Sequence, residues 1–115
     1  MTALWISVVA FGLAATVGVL LFALRIRQKV LPMPVALFHG FAAATGLVCL
    51  VFAVATGAPR LATYALPGFA AAAVGGFYLF SIHMRGRIHP VAFIVAHAGI
   101  AVGSYVLLLL AALRG

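Results

Sequence analysis

The chain has 115 residues, of which 68% are apolar, and its only formally charged side chains are seven Lys and Arg. A soluble domain usually has about a quarter of its residues charged, whereas this chain has 6% and no Asp or Glu. A water-soluble globule is therefore excluded. Four apolar stretches are long enough to cross a hydrocarbon core, which takes about 20 helical residues. They lie near residues 3–24, 34–56, 62–83 and 91–113, and they predict one all-α transmembrane bundle over residues 1–115.

The first apolar stretch is predicted to be a membrane helix rather than a cleavable signal peptide. It has no basic residue before the apolar run, and its basic residues, Arg25, Arg27 and Lys29, follow the run. A signal peptide has the opposite order and a shorter apolar region. The connection after this helix is therefore predicted to be a short basic loop.

The second stretch carries His39 about five residues from its start. At the helical period, the face through His39 continues with small residues: Ala42, Ala43 and Gly46. The single Cys49 lies in the same stretch, so neither an intramolecular disulfide nor a cysteine-rich metal site is available.

The third stretch ends at His83, and the connection after it holds Arg85, Arg87 and His89. The fourth stretch carries His97 about six residues from its start, with Gly103 further along. The third connection is therefore basic, like the first.

The basic residues predict the orientation of the bundle. Five of the seven lie in the first and third connections, and only Arg60 and Arg114 lie at the other side. Because short basic loops stay cytoplasmic, loops one and three are predicted to be cytoplasmic and both termini outside. We expect a multi-pass protein in a bacterial-type inner (cytoplasmic) membrane. The division of charge between two membrane faces argues against nucleic-acid binding, and the bilayer itself is the expected partner.

The second half of the chain resembles the first. A shift of 58 residues aligns residues 11–55 with residues 69–113 without a gap. The aligned pairs include Gly18 with Gly76, Arg27 with Arg85, Pro32 with Pro90, and His39 with His97. An up-down bundle made of two tandem helical hairpins is predicted, with a pseudo-twofold axis along the membrane normal.

His39 and His97 form the candidate metal site. At about 1.5 Å per residue they share a depth of roughly 7–9 Å, and ionisable residues at such depths usually face the bundle interior and mark function. In an up-down bundle, helices two and four are diagonal neighbours. Two imidazoles reaching inward could hold one metal, and the iron of a haem b with two axial histidines fits that geometry.

The remaining candidate residues would surround this haem. Small side chains beside the histidines, Gly46 and Gly103 among them, would leave room for a flat group. Its carboxylates would point to the cytoplasmic surface, where basic side chains could bind them: Arg27, Lys29, His83, Arg85 and Arg87.

Around His39 and His97 the chain resembles the transmembrane b-type cytochromes, whose helix bundles hold haem between histidines of facing helices. The resemblance is architectural and includes no long motif. Two-haem four-helix members carry ligands at two depths, whereas the outer half of this chain has no histidine, so a single haem is expected. The resemblance implies one-electron transfer, by an electron carrier or oxidoreductase subunit rather than a stand-alone enzyme. A larger redox complex or the quinone pool would be its partner.

Other interpretations remain open at this point. Each histidine alone is as well explained by an interhelical hydrogen bond, and His83 and His89 as interfacial residues. Small multidrug transporters have this length, but they couple to protons through a membrane glutamate, which this chain lacks. The main alternative is a non-catalytic structural or assembly subunit of a respiratory or photosynthetic complex. Homo-oligomerisation is compatible with either function.

Overall fold

The computed structural model describes residues 1–114 and contains four helices. They are α1 (Thr2–Ile26), α2 (Met33–Ala55), α3 (Arg60–Met84) and α4 (Val91–Arg114). Each is long and apolar enough to cross a membrane. The predicted all-α four-helix membrane bundle is confirmed.

The helices pack as two hairpins. The closest pairs are α1 with α2 and α3 with α4, and the hairpins meet along α2–α3 and α1–α4. Within residues 1–114 the backbones of α1 and α3, and those of α2 and α4, do not approach each other closely, so these are the diagonal pairs. The bundle measures 42 × 23 × 19 Å. The first and third connections lie at one end, here called the loop face, and the termini and second connection lie at the other, the terminal face.

Prolines precede three of the helices. Pro32 and Pro59 are the N-cap residues of α2 and α3, and Pro90 directly precedes α4. Proline has a fixed φ and no backbone N–H, so it is well tolerated where a helix begins. The caps of α1, α2 and α3 receive no side-chain hydrogen bond. In a hydrocarbon core every backbone group of a spanning segment must be satisfied internally, which favours the helical state of these apolar segments without side-chain caps.

The first and third connections have the same local structure. Gln28 and Gly86, which are 58 residues apart, both have positive φ, at 56° and 64°. The backbone hydrogen bonds that follow are also equivalent: Lys29 N to Leu24 O at 2.9 Å, and Arg87 N to Ile82 O at 3.1 Å. Each hairpin therefore leaves its first helix through the same turn, and residues on either side of that turn occupy equivalent positions.

The half of the bundle near the terminal face is closely packed. Leu4, Leu50 and Leu108, from α1, α2 and α4, have no exposed surface. At the end of this core that is nearer the loop face, Phe11 and Phe69 stack across the α1–α3 diagonal with ring centres 3.7 Å apart and nearly parallel planes. The two cavities described below both lie in the half near the loop face.

Candidate functional site

His39 and His97 lie together at the centre of the loop-face half. Each is six positions after the first residue of its helix, which places both about 9 Å below the helix start. Their ring centres are 6.2 Å apart and their planes are inclined at 76°. The structure therefore brings the two predicted ligands together across the α2–α4 diagonal.

The orientation of the His39 ring follows from its hydrogen bond. Nδ1 lies 2.7 Å from the backbone oxygen of Ala14 on α1. Because a carbonyl oxygen only accepts, Nδ1 donates this bond, and Nε2 is the ring nitrogen left for another partner. Metal-binding histidines are commonly oriented in this way, with the second ring nitrogen donating to a backbone carbonyl.

His97 occupies the equivalent position on α4, but its Nδ1 lacks the hydrogen bond that Nδ1 of His39 makes. Ala72 is the repeat equivalent of Ala14, whose carbonyl oxygen contacts His39. Within residues 1–114, however, the buried Nδ1 has no hydrogen-bond partner. An unpaired buried polar atom costs about 1–3 kcal/mol, so the two rings are held unequally.

Two glycines make room for the rings. A Cβ on Gly18 of α1 would lie 3.1 Å from Cε1 of His39, and one on Gly76 of α3 would lie 3.2 Å from Cε1 of His97. Both distances are shorter than the optimum of about 3.5–4.0 Å for carbon atoms. The backbones of α1 and α3 can therefore approach the imidazoles only because these two positions lack a side chain.

Gly46 and Gly103, which were also predicted to leave room beside the histidines, lie elsewhere. A Cβ on Gly46 would meet the ring of Phe11 at 2.9 Å, whereas Gly103 is exposed and would meet nothing within 4 Å. Gly46 is seven residues from His39, about 10 Å along the helix, so it shares the face of the histidine but not its level. Gly18 and Gly76 can be identified from the sequence because they are paired when residues 11–55 are aligned with residues 69–113.

A cavity of about 110 Å³ separates the hairpins on the loop-face side of the histidine pair. We call it the inner cavity. Its walls are mainly apolar and include His97 and Gly18. The other principal wall residues are Leu21, Phe22, Leu79, Phe80 and Ile94.

The inner cavity continues into a larger opening of about 570 Å³ at the loop face, here called the outer cleft. Four residues line both spaces: Arg25, Leu31, His83 and His89. Lys29 and Arg87 line the outer cleft alone. A path lined by cationic side chains thus leads from the loop face toward the histidine pair.

The structure divides the basic residues that were predicted to surround the cofactor. Lys29, His83 and Arg87 line the outer cleft, whereas Arg27 and Arg85 are not among its lining residues. The guanidinium of Arg85 instead donates to its own helix, at the backbone oxygen and the hydroxyl of Ser81.

Two further residues were not predicted for the site. Arg25 Nε donates to the backbone oxygen of His89 at 2.7 Å, which joins the end of α1 to the third connection. Sequence reasoning treated Arg25 as a topology determinant and His89 as interfacial. Arg25 is the repeat equivalent of His83, and that pairing was the available signal.

His89 lies in the third connection and is only 9% exposed. Its ring centre is 5.7 Å from that of His83. Burial is the main cause of a lowered pKa at His89, and the proximity of His83 and Arg25 lowers the pKa further. The wall between the inner cavity and the outer cleft therefore includes a histidine that resists protonation.

The histidine pair limits the kind of metal that the site could hold. No group of three or more His, Cys, Asp or Glu side chains suited to a metal ion occurs within residues 1–114, whereas zinc sites use three or four protein ligands. A porphyrin supplies four nitrogens and needs only the two axial ligands that His39 and His97 could provide.

The ring centres of His39 and His97 are 6.2 Å apart, which lies within the range of about 4.5–7 Å for aromatic pairs packed edge to face. The inner cavity, at about 110 Å³, is smaller than the usual small-molecule and cofactor sites of about 300–1,000 Å³, so the hairpins would have to separate to admit a porphyrin. The ligand set fits a haem, because His39 and His97 supply two imidazole nitrogens at one level of the bundle.

The chain was also compared with protein-family models, curated proteins and solved structures, and none of them matches.

Proposed function

We propose that the chain is a membrane electron-transfer protein or subunit that binds one haem b between His39 and His97. The observation that carries this proposal is the placement of two imidazoles at one depth, with ring centres 6.2 Å apart across the bundle. The hydrogen bond from Nδ1 of His39 to Ala14 supports it, because Nε2 then remains free to bind a metal.

The surrounding residues have distinct roles in this proposal. The Ala14 carbonyl orients the His39 ring and increases its basicity, and Gly18 and Gly76 admit the rings close to α1 and α3. The apolar walls of the inner cavity exclude water. Arg25 and His83, which line both spaces, are placed to bind the carboxylates of the cofactor.

Haem supplies reversible one-electron chemistry, and the protein sets its potential through ligation, burial and nearby charge. Positive charge near the iron favours the reduced form, so Arg25 and the other cations of the outer cleft would raise the potential. The closed core below Phe11 and Phe69 favours electron exchange through the loop-face half.

The orientation in the membrane is part of the proposal. The loop face carries Arg25, Arg27, Lys29, Arg85 and Arg87. Since basic short loops remain cytoplasmic, this face would lie in the cytoplasm of a bacterial-type cell and both termini outside. Its redox partner would then be the quinone pool or a larger membrane complex.

The second candidate is a structural or assembly subunit without a cofactor. The inclined packing of the two rings at 76° favours it. In that case the histidines would serve as polar packing residues between hairpins.

The absorption spectrum of the purified protein distinguishes these functions. The chain should be expressed with an adequate supply of haem and purified in mild detergent. Haem binding predicts about one haem per chain and a reversible reduced-minus-oxidised difference spectrum. A folded protein, by far-UV circular dichroism, that has no haem bands even after added haemin would refute the electron-transfer function and favour the structural one.

A further inference from the structure

We propose that the outer cleft is a binding site for a ligand with two phosphate groups, with Lys29 and Arg87 as its main contacts. The ligand chemistry is that of an anionic membrane lipid with a two-phosphate headgroup, or of a soluble diphosphate. This site does not depend on haem binding. It rests on the charge, symmetry and position of the cleft.

The charge of the cleft is not neutralised by any acidic side chain. The chain has seven basic residues and no Asp or Glu. Arg25, Lys29 and Arg87 nevertheless line one opening of about 570 Å³. Cations gathered in a concave surface repel one another and concentrate a positive potential there. A bound anion would relieve this repulsion.

The symmetry of the cleft matches a ligand with two anionic groups. Lys29 and Arg87 are 58 residues apart and follow the same turn, in which their amides donate to equivalent carbonyls. Each hairpin therefore contributes one exposed cation to the cleft. One phosphate group could bind beside each of them.

Arg25 adds a third basic side chain to the lining of the outer cleft. Its Nε donates to the His89 carbonyl at 2.7 Å, which fixes the guanidinium at the margin of the cleft. An arginine has five N–H donors, so one such bond leaves others for an anion. Charge-assisted hydrogen bonds of this kind are the stronger ones.

The position of the cleft suits a lipid headgroup. Lys29 and Arg87 lie just beyond the ends of α1 and α3, at the level where a spanning helix leaves the hydrocarbon core. Basic pockets between transmembrane helices at this level are known to bind anionic headgroups. A cofactor at His39 and His97 would lie deeper, since Gly18 is seven residues, about 10 Å, below Arg25 along α1.

The test compares two double variants that remove equal charge from the same face. The first, Lys29→Gln with Arg87→Gln, removes two of the three Lys and Arg that line the cleft. The second, Arg27→Gln with Arg85→Gln, removes another exposed, repeat-equivalent pair that does not line it. Diphosphatidylglycerol is titrated into each protein in neutral detergent, and bound lipid is counted by native mass spectrometry. We expect the affinity to fall about 30-fold in the first variant and little in the second.

Two further ligands identify the source of the phosphates. Phosphatidylglycerol, at equal total phosphate, should bind more weakly because it carries one phosphate per molecule. Inorganic pyrophosphate that binds more tightly than diphosphatidylglycerol would assign the site to a soluble diphosphate. Equal weakening by the two double variants, or equal affinity for the lipids with one and two phosphates, would overturn the proposal. Haem content is measured on the same samples, so loss of haem and loss of this site are distinguishable.

Discussion

The most sharply defined steric prediction concerns Gly46→Ala. The added Cβ would lie 2.9, 2.9 and 3.0 Å from three ring atoms of Phe11, about 0.6 Å short of the optimum for carbon atoms. Phe11 cannot retreat, because its ring is stacked on Phe69 at 3.7 Å. The Gly46 carbonyl also accepts a hydrogen bond from the buried Ser7 hydroxyl. Overpacking of this kind costs about 1–3 kcal/mol of unfolding free energy.

Gly40→Ala is the matched control, because it lies on the same helix and a Cβ there meets nothing within 4 Å. Both variants can be unfolded by titrating SDS into detergent micelles and following far-UV circular dichroism. Gly46→Ala should unfold at lower SDS than the wild type, and Gly40→Ala at about the wild-type value. Equal stability of the two alanine variants would refute the packing around Phe11 and Phe69.

Three further results are expected. Gly18→Ala should weaken haem binding in a haemin titration, because its Cβ would lie 3.1 Å from Cε1 of His39; unchanged binding would contradict that contact. Ser7→Ala removes the 2.9 Å hydrogen bond to Gly46 and should cost about 0.6 kcal/mol in the same SDS titration, whereas no loss would mean that the bond is not formed. Because the pKa of His89 is lowered in the folded protein from 6.5, the unfolded chain binds a proton more readily below that pH. Stability should therefore fall as the pH drops below 6.5, and His89→Gln should lessen this dependence; an unchanged pH profile would show that His89 is not the cause.

The helices could be predicted from the sequence because a hydrocarbon core requires long uninterrupted apolar segments, and little else in this chain competes with that signal. The common level of His39 and His97 could also be predicted, because it follows from counting residues from each helix start. The separation of 6.2 Å between their rings could not, since it depends on how far the diagonal helices lie apart and which way each side chain turns.

The neighbours of the glycines and of the basic residues could not be predicted from the sequence. Gly46 lies on the same helical face as His39, but periodicity gives the face and not the neighbour at each level. The division between Lys29, in the outer cleft, and Arg27, outside it, follows from the positive φ at Gln28. The contact of Arg25 with His89 joins residues 64 positions apart. Each of these depends on turn geometry or hairpin docking.

The central claim, that His39 and His97 are the two axial ligands of one haem, is tested most directly by the spectra of single variants. His39→Ala, His97→Ala and His89→Gln would be purified alongside the wild type, with haem content and visible spectra measured in both redox states. We predict loss of the six-coordinate bis-histidine spectrum in the first two and its retention in His89→Gln. A bis-histidine spectrum that persists in either His39→Ala or His97→Ala would contradict the account.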